Sequence, residues 1–200
     1  MRHFGDITKI HGDAIPIVDC ITGGSPCQDL SIAGRRLGLD GERSGLFFEQ
    51  IRIVKEMREH DRQTNQHRGI SIRPRFLVWE NVTGALSSNN GEDFRIVLEE
   101  IAKVADENAV IPRYEGKWRR LGCIMGRGWS IAWRVHNAQF WGSAQRRERL
   151  SVVADFGSQS APEVLFERTS MSRDFGQIEE EGERTAANIR KSSCQSDSND

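Results

Sequence analysis

The 200-residue sequence predicts an α/β fold, and three features carry that expectation. An apolar run from Ile15 to Thr22 ends in Gly23-Gly24, as a buried strand does where it turns into a tight loop. From Leu46 to Glu59, the positions Phe47, Ile51, Val54 and Arg58 recur three or four apart, which gives a helix with an apolar stripe and a charged outer face. A second strand and a second helix then repeat the rhythm. Alternation of this kind predicts a sheet whose strands lean towards parallel.

The second strand is read over Arg75–Trp79, with Glu80-Asn81-Val82 at its carboxyl end and Gly84 breaking the chain soon after. The second helix is expected over Glu92–Ala105, where Phe94, Val97, Leu98, Ile101 and Val104 follow the helical period. Ile131–Val135 and Arg149–Ala154 read as later strands. In open α/β sheets ligands sit beyond the carboxyl ends of strands. Cys27 and Glu80 both fall just past predicted strand ends, so one cleft is expected to hold both. Beyond Phe156 the composition changes: Glu179-Glu180-Glu181 is acidic and Lys191 to Asp200 is nearly all polar. Residues 1–156 are therefore expected to form the core, and 157–200 a polar linker or tail.

Composition bounds the rest. Hydrophobic residues make up 37% and charged residues 28%, as in ordinary soluble domains. The net charge of −1 means that any surface for nucleic acid must be local. No apolar run approaches the ~20 residues of a membrane helix, and Met1 to Asp6 has no signal-peptide core. A cytoplasmic location is the default, with no membrane partner.

The four cysteines make no C-x-x-C pair, and no His/Cys spacing suggests zinc, so no metal is expected. Cys20 and Cys123 fit the role of small buried hydrophobes, and Cys194 lies in the polar tail. Arg113, Lys117, Arg119, Arg120, Arg127, Arg134, Arg146, Arg147 and Arg149 cluster late in the core, interleaved with Trp118, Trp129, Trp133 and Trp141. Such a segment suits a phosphate backbone; equally, the tryptophans suit core packing, Trp133 above all.

Cys27 follows a strand and two glycines, where the backbone can approach a ligand and a thiol can attack an electrophilic carbon. The wider stretch Gly23-Gly24-Ser25-Pro26-Cys27-Gln28-Asp29-Leu30-Ser31-Ile32-Ala33-Gly34, with Gly45-Leu46-Phe47, resembles the active-site loop and following helix of cytosine C5-methyltransferases. Leu30 stands where that family usually has phenylalanine. Glu80-Asn81-Val82 is similar to the family's Glu-Asn-Val motif, and Gln145-Arg146-Arg147-Glu148-Arg149 to its Gln-x-Arg-x-Arg motif. Asn137-Ala138 matches a pair that precedes the latter. Gly5-Asp6-Ile7 resembles the acidic loop that touches the adenine of S-adenosylmethionine.

The resemblance implies an incomplete Rossmann-like methyltransferase core that uses S-adenosylmethionine on double-stranded DNA with a flipped cytosine, in a restriction-modification or phage setting. It makes Cys27 the nucleophile that adds to cytosine C6, and Glu80 the acid that serves N3 as charge develops there. To donate, Glu80 has to hold a proton near neutrality, which burial in an apolar cleft flanked by Trp79 and Val82 would favour. Arg147 and Arg149 are implied for the cytosine carbonyl, the Glu80 carboxylate or the phosphates, without a choice between them. Asp6, Pro26 and Leu46 are implied as cofactor contacts.

The same likeness leads us to expect a Phe-x-Gly-x-Gly loop before Gly5, a target-recognition domain after Phe156 and closing motifs. None is in the sequence, and Ser143-Ala144 replaces the usual proline before Gln145. The expectation is a chain that alone binds cofactor and methylates poorly, with a second polypeptide as one source of the missing motifs. Two alternatives stay open: a non-catalytic fragment or split subunit that binds nucleic acid, and a tRNA cytosine methylase.

Overall fold

A computed structural model describes residues 2–25, 45–64, 71–113, 116–141 and 145–166. Its five-stranded sheet has the order β1-β2-β5-β4-β3, where β1 is Cys20–Gly23, β2 Phe76–Asn81, β3 Leu121–Met125, β4 Ser130–Asn137 and β5 Glu148–Asp155. β1 and β2 pair in parallel; β5 runs antiparallel to β2 and β4, and β3 antiparallel to β4. The fold is α/β, but the sheet is mixed rather than parallel-leaning. The link between β4 and β5 is too short for the crossover that parallel neighbours need, so the chain turns back on itself.

Side chains alternate along these strands, and one face collects the apolar ones. Trp79, Val152 and Trp133 form one cross-strand row on that face. Helices α1 (Leu46–Thr64) and α2 (Glu92–Ala102) supply its cover. Phe47 of α1 meets Trp79 edge-on with ring centres 5.7 Å apart, and Phe94 of α2 meets Trp133 at the same separation. All four rings are buried, so the aromatic geometry adds to a large transfer term from water.

Two elements depart from the expected pattern. Only Cys20–Gly23 of the apolar run joins the ladder, and Cys20 is exposed rather than buried. β3 carries no alternation signal because Gly122 lies opposite Trp133, where an added Cβ would meet the indole at 2.3 Å. The glycine yields its side-chain space to the ring.

The chain also stays packed past Phe156. A short helix, α3 (Ala161–Leu165), rests on β4 and β5, and its Ala161 N–H donates to Ser130 Oγ at 3.1 Å. Below it, Asp155 is fully buried and accepts from Arg75 Nε at 3.0 Å and Nη2 at 2.8 Å. It also accepts from the Ser158 and Ser160 hydroxyls and the Gly157 N–H. Ser158 and Ser160 read as tail in the sequence, yet they serve a buried carboxylate. The first compact unit runs to Leu165, and of residues 166–200 only Phe166 is described. No helix among the described residues is long and apolar enough to cross a membrane.

Candidate active site

The end of β2 positions the site. Trp79 and Asn81 point to the core side and are buried, so Glu80 must project from the opposite face. Its side chain is 50% exposed and pairs with Arg149, Nε to Oε1 at 2.9 Å. The sequence expectation of an apolar cleft around Glu80 is thereby corrected. Trp79 lies on the other side of the sheet, and an arginine takes the place expected for apolar walls.

Strand register extends this polar face. Glu80 lies across from Ser151, and Ser151 from Arg134; one step along, Arg149 lies across from His136. Burial, and then the Arg134 charge, push the His136 pKa down, which favours the neutral ring.

Asn81 and Trp79 work inward on the loop that precedes Cys27. Asn81 Nδ2 donates to the Ser25 carbonyl at 2.9 Å, and Trp79 Nε1 donates to Ser25 Oγ at 3.1 Å. Asn81 Oδ1 in turn accepts the Val82 N–H at 2.8 Å, which fixes the amide. At Gly24 an added Cβ would lie 3.2 Å from Glu80 Oε2, so glycine permits the close approach of loop to carboxylate. Glu80 thus turns Oε1 to Arg149 and Oε2 towards the loop. Gly23 gives similar room to the buried Gln50 amide of α1.

Ser25 is the last described residue of this loop; Pro26 and Cys27 lie outside the described residues. Ser25→Ala is expected to destabilise the fold by about 1–3 kcal/mol, because a buried indole N–H loses its acceptor. Urea unfolding of the two proteins checks this, and Ser25→Thr should recover part of the loss.

The two arginines divide their roles. Arg149 holds Glu80, whereas Arg147 is exposed and its carbonyl accepts the Ala138 N–H at 2.9 Å. Asp6 caps a short 3-10 turn, Ile7–Lys9, with Oδ1 accepting from the Thr8 N–H and hydroxyl. The Thr8 bonds hold its carboxyl below the usual range. That turn rests on α1, where Arg52 donates to the Ile7 and Ile10 carbonyls. Leu46, the first residue of α1, is 43% exposed. Asp6 offers an exposed acceptor to an adenine amino group and Leu46 an exposed apolar surface to its face, so the chemistry of both side chains is compatible with the implied cofactor.

The remaining cysteines and tryptophans take other parts. Partial burial raises the Cys20 and Cys123 thiol pKa values, which keeps both protonated and poor as nucleophiles. Trp129 and Trp133 are buried, and Trp118 is half-buried with Nε1 donating to the Gly91 carbonyl. These three are packing residues, not a track for phosphates. Among the described residues no group of His, Cys, Asp or Glu is placed to hold a metal ion.

The family model for C-5 cytosine-specific DNA methylase matches residues 1–111, more than half of the chain. The chain belongs to the C-5 cytosine-specific DNA methylase family. Its relatives include a DNA N-6-adenine-methyltransferase of Escherichia phage P1, 33% identical over 88% of this chain and 25% of that protein. The type II methyltransferase M.BsuFI of Bacillus subtilis is 31% identical over 74% of this chain and 27% of its own length. For M.NgoBV of Neisseria gonorrhoeae the figures are 30%, 90% and 34%. The chain therefore spans between a quarter and about a third of these relatives. A crystal structure of the S. pombe Dnmt2 methyltransferase aligns with a TM-score of 0.39 at 17% identity, over 75% of this chain and 35% of that one.

Within the family's motif, Asn81 emerges as the residue that holds the Ser25 backbone against β2. Ser25 was the residue that sequence reasoning passed over: its neighbours in the motif drew attention, and its tie to Trp79 needs the fold.

Proposed function

We propose that this chain carries the chemical half of a methyl transfer from S-adenosylmethionine to cytosine C5 in DNA. The observation that carries the reading is the tether of Ser25, two residues before Cys27, to the strand that presents Glu80. Cytosine C5 is a poor nucleophile until a thiolate adds to C6. In the proposed sequence the Cys27 sulfur bonds to C6, and the displaced electron pair is stabilised at N3 by a proton from Glu80. The arriving base covers the half-exposed carboxyl and excludes water from it. Arg149 keeps Glu80 aimed, and Arg147 at the rim suits a phosphate or the cytosine carbonyl.

S-adenosylmethionine, when bound, supplies the methyl group from its sulfonium; Asp6, Leu46 and Pro26 are the residues proposed to hold it. The C5 proton then leaves to solvent, the C6–S bond breaks to release the Cys27 thiolate, and N3 gives its proton back to Glu80. A cytosine inside a duplex is out of reach of this machinery, so the nucleotide is flipped. The polar chain after Leu165 is the proposed approach to a target-recognition domain.

Cytosine suits this site better than adenine, although one phage relative is named for adenine. An exocyclic amino nitrogen has its own lone pair and needs no thiol adduct, so Cys27 would be idle in that reaction. The test is covalent trapping on duplex DNA with 5-fluorocytosine, in which fluorine at C5 blocks the final elimination. With S-adenosylmethionine in large excess, to offset the weak cofactor binding expected of this chain alone, the wild type should slowly form a denaturant-stable complex that Cys27→Ser does not form. Absence of a complex with the wild type would overturn the reading.

A further inference from the structure

We infer that Phe140 stacks on a DNA base left exposed when the target cytosine leaves the helix; this rests on the function proposed above. Phe140 is 77% exposed, more than any other large apolar side chain among the described residues. It lies in a 3-10 turn, Ala138–Trp141, that directly follows β4. Two bonds pin that turn: the Ala138 N–H donates to the Arg147 carbonyl at 2.9 Å, and the Gln139 N–H to Asn137 Oδ1 at 3.2 Å. The turn is therefore tied to the residue before β5, at the sheet end that holds Glu80 and Arg149.

The surroundings select the partner. Gln145, Arg146 and Arg147 are exposed across from the turn, and the acidic Glu148 is already paired with Arg120 at 2.7 Å. A single exposed aromatic ring is ordinary on a protein surface. One set in a basic rim, at the mouth of a site for a base, offers cations to phosphates and a π face to a base. A nucleotide that swings out leaves its stacked neighbours bare, and apolar side chains commonly fill such gaps. Trp118, Trp129 and Trp133 are packed inside, so among the described rings of this basic segment Phe140 alone can do so.

The test uses the full chain and two fluorescently labelled duplexes, identical except that one has an abasic site. Phe140→Ala should weaken binding to the abasic duplex roughly tenfold, as loss of one base stack does. Binding to the intact duplex should change less than about threefold, and Phe140→Trp should restore the difference. Arg147→Ala, by contrast, should weaken both. Wild-type affinity of Phe140→Ala for the abasic duplex, beside a loss for Arg147→Ala, would overturn the inference and leave the proposed function standing. A lower melting temperature of free Phe140→Ala with unchanged DNA affinity would also overturn it, since the ring would then pack on polypeptide. A wild-type chain that binds neither duplex would overturn this inference together with DNA as substrate, whereas binding with no fluorocytosine trapping would sink the chemistry alone.

Discussion

Glu80→Gln is expected to slow the cytosine reaction about 10²–10³-fold while the protein folds as before. Glutamine keeps the length and shape of the side chain and can still hydrogen-bond N3, but it has no proton to give. The effect on stability decides how the result is read. Glu80 is 50% exposed and Arg149 31% exposed, and an ion pair in that setting contributes about 0–1 kcal/mol. Each tenfold loss of rate corresponds to about 1.4 kcal/mol, so the catalytic loss exceeds any loss of fold. Single-turnover rates and melting curves of the same preparations separate the two.

Arg75→Met is expected to cost about 3–5 kcal/mol of stability at neutral pH, because it strips the cation from a fully buried carboxylate. Burial alone would raise the Asp155 pKa. Arg75, the Ser158 and Ser160 hydroxyls and the Gly157 N–H outweigh it, and the carboxyl is held well below the usual carboxylate range. The folded-state value is therefore below the unfolded one near 4, so this stabilisation is present above that pH and fades as pH falls below it. The gap between wild type and Arg75→Met should accordingly be widest near pH 7 and narrow towards pH 3. Denaturant midpoints at a series of pH values measure it; a gap that widens in acid would contradict the assignment.

Much of the fold was legible in the sequence because it rests on local period. Phe94, Val97, Leu98 and Ile101 mark α2, and the alternation around Trp133 and Val152 marks the two strands that the sheet centres on. Where the reading stopped short, side-chain pairs had replaced apolar period. α1 continues to Thr64 on bonds such as Gln63 Nε2 to Glu59 Oε1 at 3.0 Å, not on a hydrophobic stripe. β3 was hidden by Gly122, whose place is set by a tryptophan on another strand. The antiparallel β5 could not be read from its own residues, because direction depends on which strands it lies between.

The site divides along the same line. Glu80 and Arg149 meet at one end of the sheet, but sequence cannot say which face of β2 is covered. Glu80 was expected among apolar walls and instead shares an open polar face with Arg149, Arg134 and His136. The choice between Arg147 and Arg149 likewise needed the bounds of β5, which starts at Glu148, so that Arg149 joins the ladder across from His136 and Arg147 stays outside it.

In the proposed reaction Cys27 activates cytosine C5 with Glu80 as its acid. That activation is tested most directly by release of tritium from duplex DNA labelled at cytosine C5. Addition at C6 makes C5 enamine-like, so completed turnover must expel the C5 hydrogen into water. With S-adenosylmethionine in large excess, slow release is expected from the wild-type chain, none from Cys27→Ser, and release about 10²–10³-fold slower again from Glu80→Gln. No release by the wild type, or equal release by Cys27→Ser, would contradict it.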